Sequence, residues 1–216
     1  VPVRVGGETA GCLDQQKALG DSLPIALAIL ATTTLVILFL MTGSVVLPIK
    51  AVVMNLVSIT AAFGVVTWIF SDGNLSDTLG FAPQGYLDAT MPILMFAILF
   101  GLSMDYEVFL LSRIRGEYHR GHSNIDSVVE GLGATAKVIT AAALIMISVF
   151  LGFVASDDPV VKMMGVGLAT AVAVDATIVR MVLVPSTMAL VGDANWWLPG
   201  WLDRLRRLIG LERVVR

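Results

Sequence analysis

Five apolar runs, each about as long as a bilayer is thick, decide what this chain can become. A transmembrane helix needs about 20 consecutive, mainly apolar residues, and residues 22–49 pass without a single charge. The first span is read within that stretch at 23–41, and the others follow at 51–70, 90–111, 134–154 and 161–184. The turn Thr42-Gly43-Ser44, with Pro48 just beyond, leaves too little chain between the first two for a soluble connection. Hydrocarbon offers no partners to backbone N–H and C=O groups, so each run must satisfy its own as a helix. The sequence therefore predicts an all-α integral membrane protein, a bundle of five transmembrane helices.

Composition agrees: 56% of the 216 residues are hydrophobic and 14% charged, against roughly 45–50% and 25% in soluble domains. The net charge is −3, and the 14 Lys and Arg residues are not gathered into a patch suited to nucleic acid. Their placement speaks to orientation instead. Lys50, Arg113, Arg115, Arg120, Lys137, Arg204, Arg206, Arg207, Arg213 and Arg216 fall in one set of connections, whereas 71–89 and 155–160 have none and Lys162 lies at their edge. The basic set is expected in the cytoplasm. That reading puts residues 1–21 outside, as the end of an extracytoplasmic domain, a five-span membrane domain over 22–191 in the plasma membrane, and a cytoplasmic tail over 192–216. In the tail Trp201, Leu202, Leu205, Leu208 and Ile209 form one stripe opposite Arg204, Arg206 and Arg207, which predicts an interfacial anchor with Trp196 and Trp197 just upstream. A second surface-lying helix is expected after a Ser123 or Asn124 cap, with Ile125, Val128, Val129 and Leu132 on one face. The lone Cys12 cannot form an internal disulfide. His119 and His122 lack acid or Cys neighbours at ligand spacing, so no metal or cofactor is expected. The chain starts at Val1 without a charged segment and short apolar core, so no signal peptide is read, and it looks cut from something longer.

Polar groups inside the spans carry the functional signal, because a charge near the bilayer centre costs at least about 2.5 to 3.5 kcal/mol. Asp105 lies about two-thirds along the third span. Gly101 and Ser112 share its helical face, which is expected to point into protein. Proton or ion coupling competes there with a structural buried carboxyl. Tyr106 is a packing residue or a proton-sharing hydroxyl, and Glu107, closer to the inner surface, is expected to snorkel or pair with an Arg. Asp175 and Arg180 on the fifth span stand five residues apart, roughly 140° of α-helix, and so are not expected to pair directly. A triangle of Asp105, Asp175 and Arg180 is the expected arrangement, with a purely structural ion pair as its rival. Lys137 reads as a snorkelling anchor, and Asn55 and Ser58 as interhelical hydrogen bonders. Small residues at Ala61, Ala62, Gly64, Ala141, Ala142, Ala143, Gly165, Gly167, Ala169, Ala171 and Ala173 predict close helix contacts.

Five segments carry a family likeness: F-A-I-L-F-G-L-S-M-D-Y-E-V-F-L-L-S-R-I-R (96–115), T-A-A-A-L-I-M (140–146), D-P-V-V-K-M-M-G-V-G-L-A (158–169), D-A-T-I-V-R (175–180) and G-D-A-N-W-W-L-P (192–199). Together they strongly resemble the mycobacterial membrane protein large (MmpL) transporters of the resistance-nodulation-division superfamily, especially their actinobacterial YdfJ-like members. The resemblance implies a proton-driven exporter of lipids or other amphiphiles, with twelve spans in two repeats and two large outer domains. This chain would correspond to its C-terminal part: a last outer-domain strand over 1–5, then spans eight to twelve, with the N-terminal half as partner. In the family an Asp-Tyr pair on the fourth span faces one on the tenth, which falls here on Asp105 and Tyr106. The last-span acid and base fall on Asp175 and Arg180. Protons and membrane lipids are thereby implied as partners, and catalysis is not. An intramembrane aspartyl protease would also need two buried acids, but the chain has D-Y rather than Y-D and lacks G-x-G-D on the next helix. A sensor or scaffold built on the same bundle, which does not transport, is the alternative.

The Lys/Arg asymmetry yields a direct test. In a Cys12→Ala background and intact cells, a membrane-impermeant thiol reagent should label Ser76→Cys and spare Ser123→Cys. The reverse pattern would sink the five-span assignment.

Overall fold

The computed structural model describes residues 8–81, 90–200 and 202. Among these there is no strand, and five helical stretches are long and apolar enough to cross a membrane: Gly20–Thr42, Val46–Ser71, Met91–His119, Asn124–Phe153 and Pro159–Trp196. The elements are α1 (Glu8–Thr42), α2 (Val46–Val66, prolonged by a π-turn over Thr67–Ser71), a short α3 (Ser76–Leu79), α4 (Thr90–His119), α5 (Asn124–Phe153) and α6 (Pro159–Val174). A π-helical stretch, Asp175–Leu183, joins α6 to α7 (Val184–Val191), which ends in a 3-10 turn, Gly192–Trp196. The expected outer strand over 1–5 and the amphipathic tail beyond Leu202 lie outside the described residues.

Local chemistry sets the helix ends. Gly43 takes a left-handed φ of +64° and donates its N–H to Phe39 O at 2.8 Å, which closes α1 in the manner glycine permits at little cost. Ser44 Oγ then accepts from Val46 N at 3.1 Å, and Pro48 sits in the first turn of α2, where a missing N–H loses nothing. Ser123 caps α5 by accepting from Asp126 N at 3.2 Å. Asp158 caps α6 by accepting from Val160 N at 2.8 Å, with Pro159 as its first residue.

The surface is apolar where a soluble protein would be polar. Ile25, Ile29, Ile145 and Val129 are each more than 60% exposed, the pattern of a bundle whose solvent is lipid. Inside, α4 packs on α5, α5 on α6, and α2 on α6. Without a hydrophobic drive between helices in lipid, close backbone approach takes its place. The buried small residues provide it at Ala62, Ala143, Gly165, Gly167, Ala169 and Ala171, whereas Gly64 and Ala141 face outward.

One expectation is corrected. The segment 124–132 is not a separate surface helix: Asn124–Phe153 is a single helix of 30 residues. Nothing between Val128 and Ala134 interrupts the hydrogen-bond ladder, and Gly131 has a packing reason to be there. A Cβ at Gly131 would lie 2.8 Å from Ile114 Cα and 2.9 Å from Ile114 N, so α4 passes at backbone contact.

The ends of the helices at the Arg-rich side are tied by a polar clamp. Ser44 Oγ donates to Asn195 O at 2.5 Å, and Lys50 Nζ donates to Asn195 Oδ1 at 2.9 Å. Asn195 Nδ2 donates to Met188 O at 2.7 Å and Gly192 O at 2.6 Å, and Asn124 Nδ2 donates to Met188 O at 2.9 Å. Trp196 was expected as a lipid-interface anchor. It stacks instead on Tyr118, with centroids 4.1 Å apart, and its Nε1–H donates to Asn124 Oδ1 at 3.0 Å. Its neighbour Trp197, 57% exposed, keeps the freedom an anchor needs.

Two glycines of α5 separate packing from propensity. Gly131→Ala should destabilise by roughly 1 to 3 kcal/mol through overpacking. Gly133→Ala meets nothing within 4 Å and should stabilise by about 0.5 to 1 kcal/mol from helix propensity alone. Thermal unfolding of the purified variants in detergent, followed by intrinsic fluorescence, checks both signs.

Candidate functional site

The polar residues of three helices meet in the interior. Ser58 comes from α2, Ser103 from α4, and Asp175 and Arg180 from the π-helical stretch. Asp175 Oδ1 accepts from Ser58 Oγ and from Ser103 Oγ, each at 3.0 Å. Asp175 Oδ2 accepts from Arg180 Nε at 2.8 Å and lies 2.6 Å from Nη2. Nη2 also donates to Ser103 O at 2.5 Å. Both charged residues are buried, Asp175 at 8% and Arg180 at 1% exposure. The four donors engage both carboxylate oxygens, which is the condition under which a buried pair can offset its desolvation.

The direct Asp175 to Arg180 pair corrects the expectation from α-helical geometry. In a stretch whose hydrogen bonds run from i to i+5, residues five apart lie nearly above one another rather than roughly 140° apart. The wider π turn brings base to acid on one helix. Such bulges often mark functional sites.

The structure separates the two members of the Asp-Tyr motif. Tyr106 turns inward, with the Arg180 guanidinium carbon 5.1 Å from its ring centroid, a cation–π contact. Its hydroxyl reaches Met146 Sδ at 3.7 Å. Asp105 is exposed, and so are Gly101 and Ser112 on the same face. The described residues do not cover this face. Asp105 therefore has no place in the expected triangle, where Ser58 and Ser103 stand instead.

Glu107 corrects a further expectation. It does not snorkel but is buried at 6% exposure, and of the charges that act on it Arg180 is the strongest, in keeping with the alternative of an Arg partner. Lys137 is exposed on α5, as a snorkelling side chain would be. Ser58 forms the interhelical hydrogen bond expected of it. Asn55 is buried at 3% exposure, but neither of its side-chain polar atoms has a partner among the described residues. Sequence reasoning missed Ser103, although it stands two residues before Asp105 in the G-L-S-M-D-Y segment; a hydroxyl one helical turn from Tyr106 and Glu107 was the available signal. It also missed Asn195, whose partners lie 71 and 145 residues away in sequence.

Comparison with known proteins places this architecture. The MMPL family model matches residues 1–209. The trehalose monomycolate exporter MmpL3 of Mycobacterium tuberculosis is 46% identical over 214 residues, covering 99% of this chain and 23% of the relative. The mycolic acid-containing lipids exporter MmpL11 of Mycolicibacterium smegmatis is 44% identical over 213 residues, covering 99% and 22%. A heme uptake protein MmpL11 of M. tuberculosis is 42% identical over 213 residues, again covering 99% and 22%. The chain thus spans about a quarter of the length of these curated relatives. With a family match over nearly its whole length and five membrane-length helices, the chain belongs to the MMPL family of multi-pass membrane proteins.

Proposed function

We propose that this chain is the C-terminal membrane portion of an exporter of lipids or other amphiphiles driven by the proton-motive force, working with an N-terminal half. Its N-terminus faces outside and its C-terminus the cytoplasm. The observation that carries the reading is the exposed Asp105 face beside a buried charge cluster. A carboxyl on a membrane-spanning helix, with small Gly101 a turn away, calls for an apposed protein surface or a water path. The exporter names of MmpL3 and the M. smegmatis MmpL11 support a lipid cargo, and an amphiphile class is broad enough to take in the heme relative.

The physical mechanism is a neutralisation switch. An ionised Asp105 favours a conformation that supplies charge partners or water, and a proton arriving from outside removes that demand and lets the apposed bundles repack. Each proton entering down 100 mV brings about 2.3 kcal/mol, and each pH unit adds about 1.4 kcal/mol, enough to bias a two-state bundle strongly. Tyr106 bridges the two parts, lying next to Asp105 in sequence and over Arg180 in space. Asp105→Asn in the intact protein should abolish proton-coupled export of labelled lipid while leaving the membrane level of protein unchanged. Wild-type export by this variant would defeat the coupling role.

The full engagement of Asp175 favours a second reading for that residue, a fixed brace rather than a proton carrier. Removing either Asp175 or Arg180 alone should strand the other charge, at a cost of roughly 3 to 5 kcal/mol, and reduce folded yield. Asp175→Asn with Arg180→Met should recover much of that yield. The combination should still fail to export if Asp175 belongs to the proton path, and should export normally if the pair only braces the bundle.

A further inference from the structure

Beside the charge cluster lies a cavity between α2, α4, α5 and α6, whose polar lining is Asn55, Ser58, Ser103, Tyr106, Asp175 and Arg180. Ser58, Ser103 and Asp175 satisfy one another. Three buried atoms are left over: Asn55 Nδ2, Asn55 Oδ1 and Arg180 Nη1, none with a partner among the described residues. Asn55 and Arg180 are 3% and 1% exposed. Unmade hydrogen bonds on buried polar atoms are costly and rare, and buried water is their usual remedy where a cavity is polar and roomy enough.

Both conditions hold here. The cavity offers the centre of a water molecule about 20 Å³, against roughly 10 to 15 Å³ needed for one water. The unpartnered set contains an acceptor and two kinds of donor, which is the complement of a molecule that both donates and accepts. An anion fits poorly, because the Arg180 charge is already met by Asp175. An apolar group would leave all three atoms unpaired.

We infer that Asn55 and Arg180 Nη1 hold an ordered water in this cavity, donating to Asn55 Oδ1 and accepting from Arg180 Nη1. The water completes the hydrogen bonding of Arg180 and ties α2 to the π-helical stretch at a second point, alongside the Ser58 to Asp175 bond. This inference does not rest on the transport reading, since occupancy and stability can be read in a protein that exports nothing.

The test is a structure of the intact protein in nanodiscs at a resolution where other buried waters are visible, with thermal unfolding of Asn55→Leu measured alongside. Density within hydrogen-bond distance of both the Asn55 amide and Arg180 Nη1 is expected. Asn55→Leu, which has the same branching and number of side-chain heavy atoms but bulkier methyl ends, should lower Tm because it expels the water and orphans Nη1. A dry cavity, or a side chain from the rest of the protein filling it, overturns the inference. So does a higher Tm for Asn55→Leu, the sign expected if leucine merely removed two unpaired polar atoms from a dry site. Should the leucine variant not fold, Asn55→Asp, which keeps an acceptor for the same water, should fold and retain the density; its loss there would likewise overturn the assignment.

Discussion

The carboxylate of Asp175 is the point on which the bundle turns. Two serines and one arginine grip it from α2, α4 and the π-helical stretch, and each grip requires the others. Without Ser58 and Ser103 the carboxylate would meet only one partner, and without the π turn Arg180 would face another side of the helix. In lipid, where helices are not driven together by water, such interhelical hydrogen bonds and close glycine contacts have to set the geometry. The same grip decides where Tyr106 and Asp105 point. With Tyr106 packed over Arg180, its neighbour in sequence is carried about 100° round α4 to the outer face.

That arrangement divides α4 into two chemical surfaces. One is finished: Ser103, Tyr106 and the buried Glu107 all have neighbours within this chain. The other, with Gly101, Asp105 and Ser112, is exposed. Under the proposed switch, the finished surface would stay in place while the exposed one exchanges partners.

Much of this was legible in the sequence, and the reasons differ residue by residue. The five spans could be read because charge is nearly excluded from them, and Ser58 because a hydroxyl in a span must find a partner. The pairing of Asp175 with Arg180 was not legible. Angles reckoned at about 3.6 residues per turn fail inside a π-helix, and the D-A-T-I-V-R segment gives no local sign of one. The burial of Glu107 was not read because an acid near Arg residues reads as surface, although its direction on α4 is set by Tyr106 and the Asp175 grip. The Asn195 clamp was hidden for another reason: G-D-A-N-W-W-L-P reads as a turn with lipid-seeking tryptophans, while its bonds run to the starts of α2 and α5, far off in sequence.

The unbroken length of α5 bears on where that clamp works. Thirty residues make a rod of about 45 Å, while the hydrocarbon layer is about 30 Å thick. Even a tilt of about 40°, the upper end of what spans adopt, leaves the rod longer than the layer. The charged Asp126 and Glu130 lie in its first turns, so it is this end, beside the basic end of α4, that is expected to reach into the headgroup region. Water there competes for every side-chain hydrogen bond. The Tyr118 and Trp196 rings, stacked flat against each other, shelter the Asn124 and Asn195 amides from it, so two aromatic residues act as a roof over a joint that stands outside the oil.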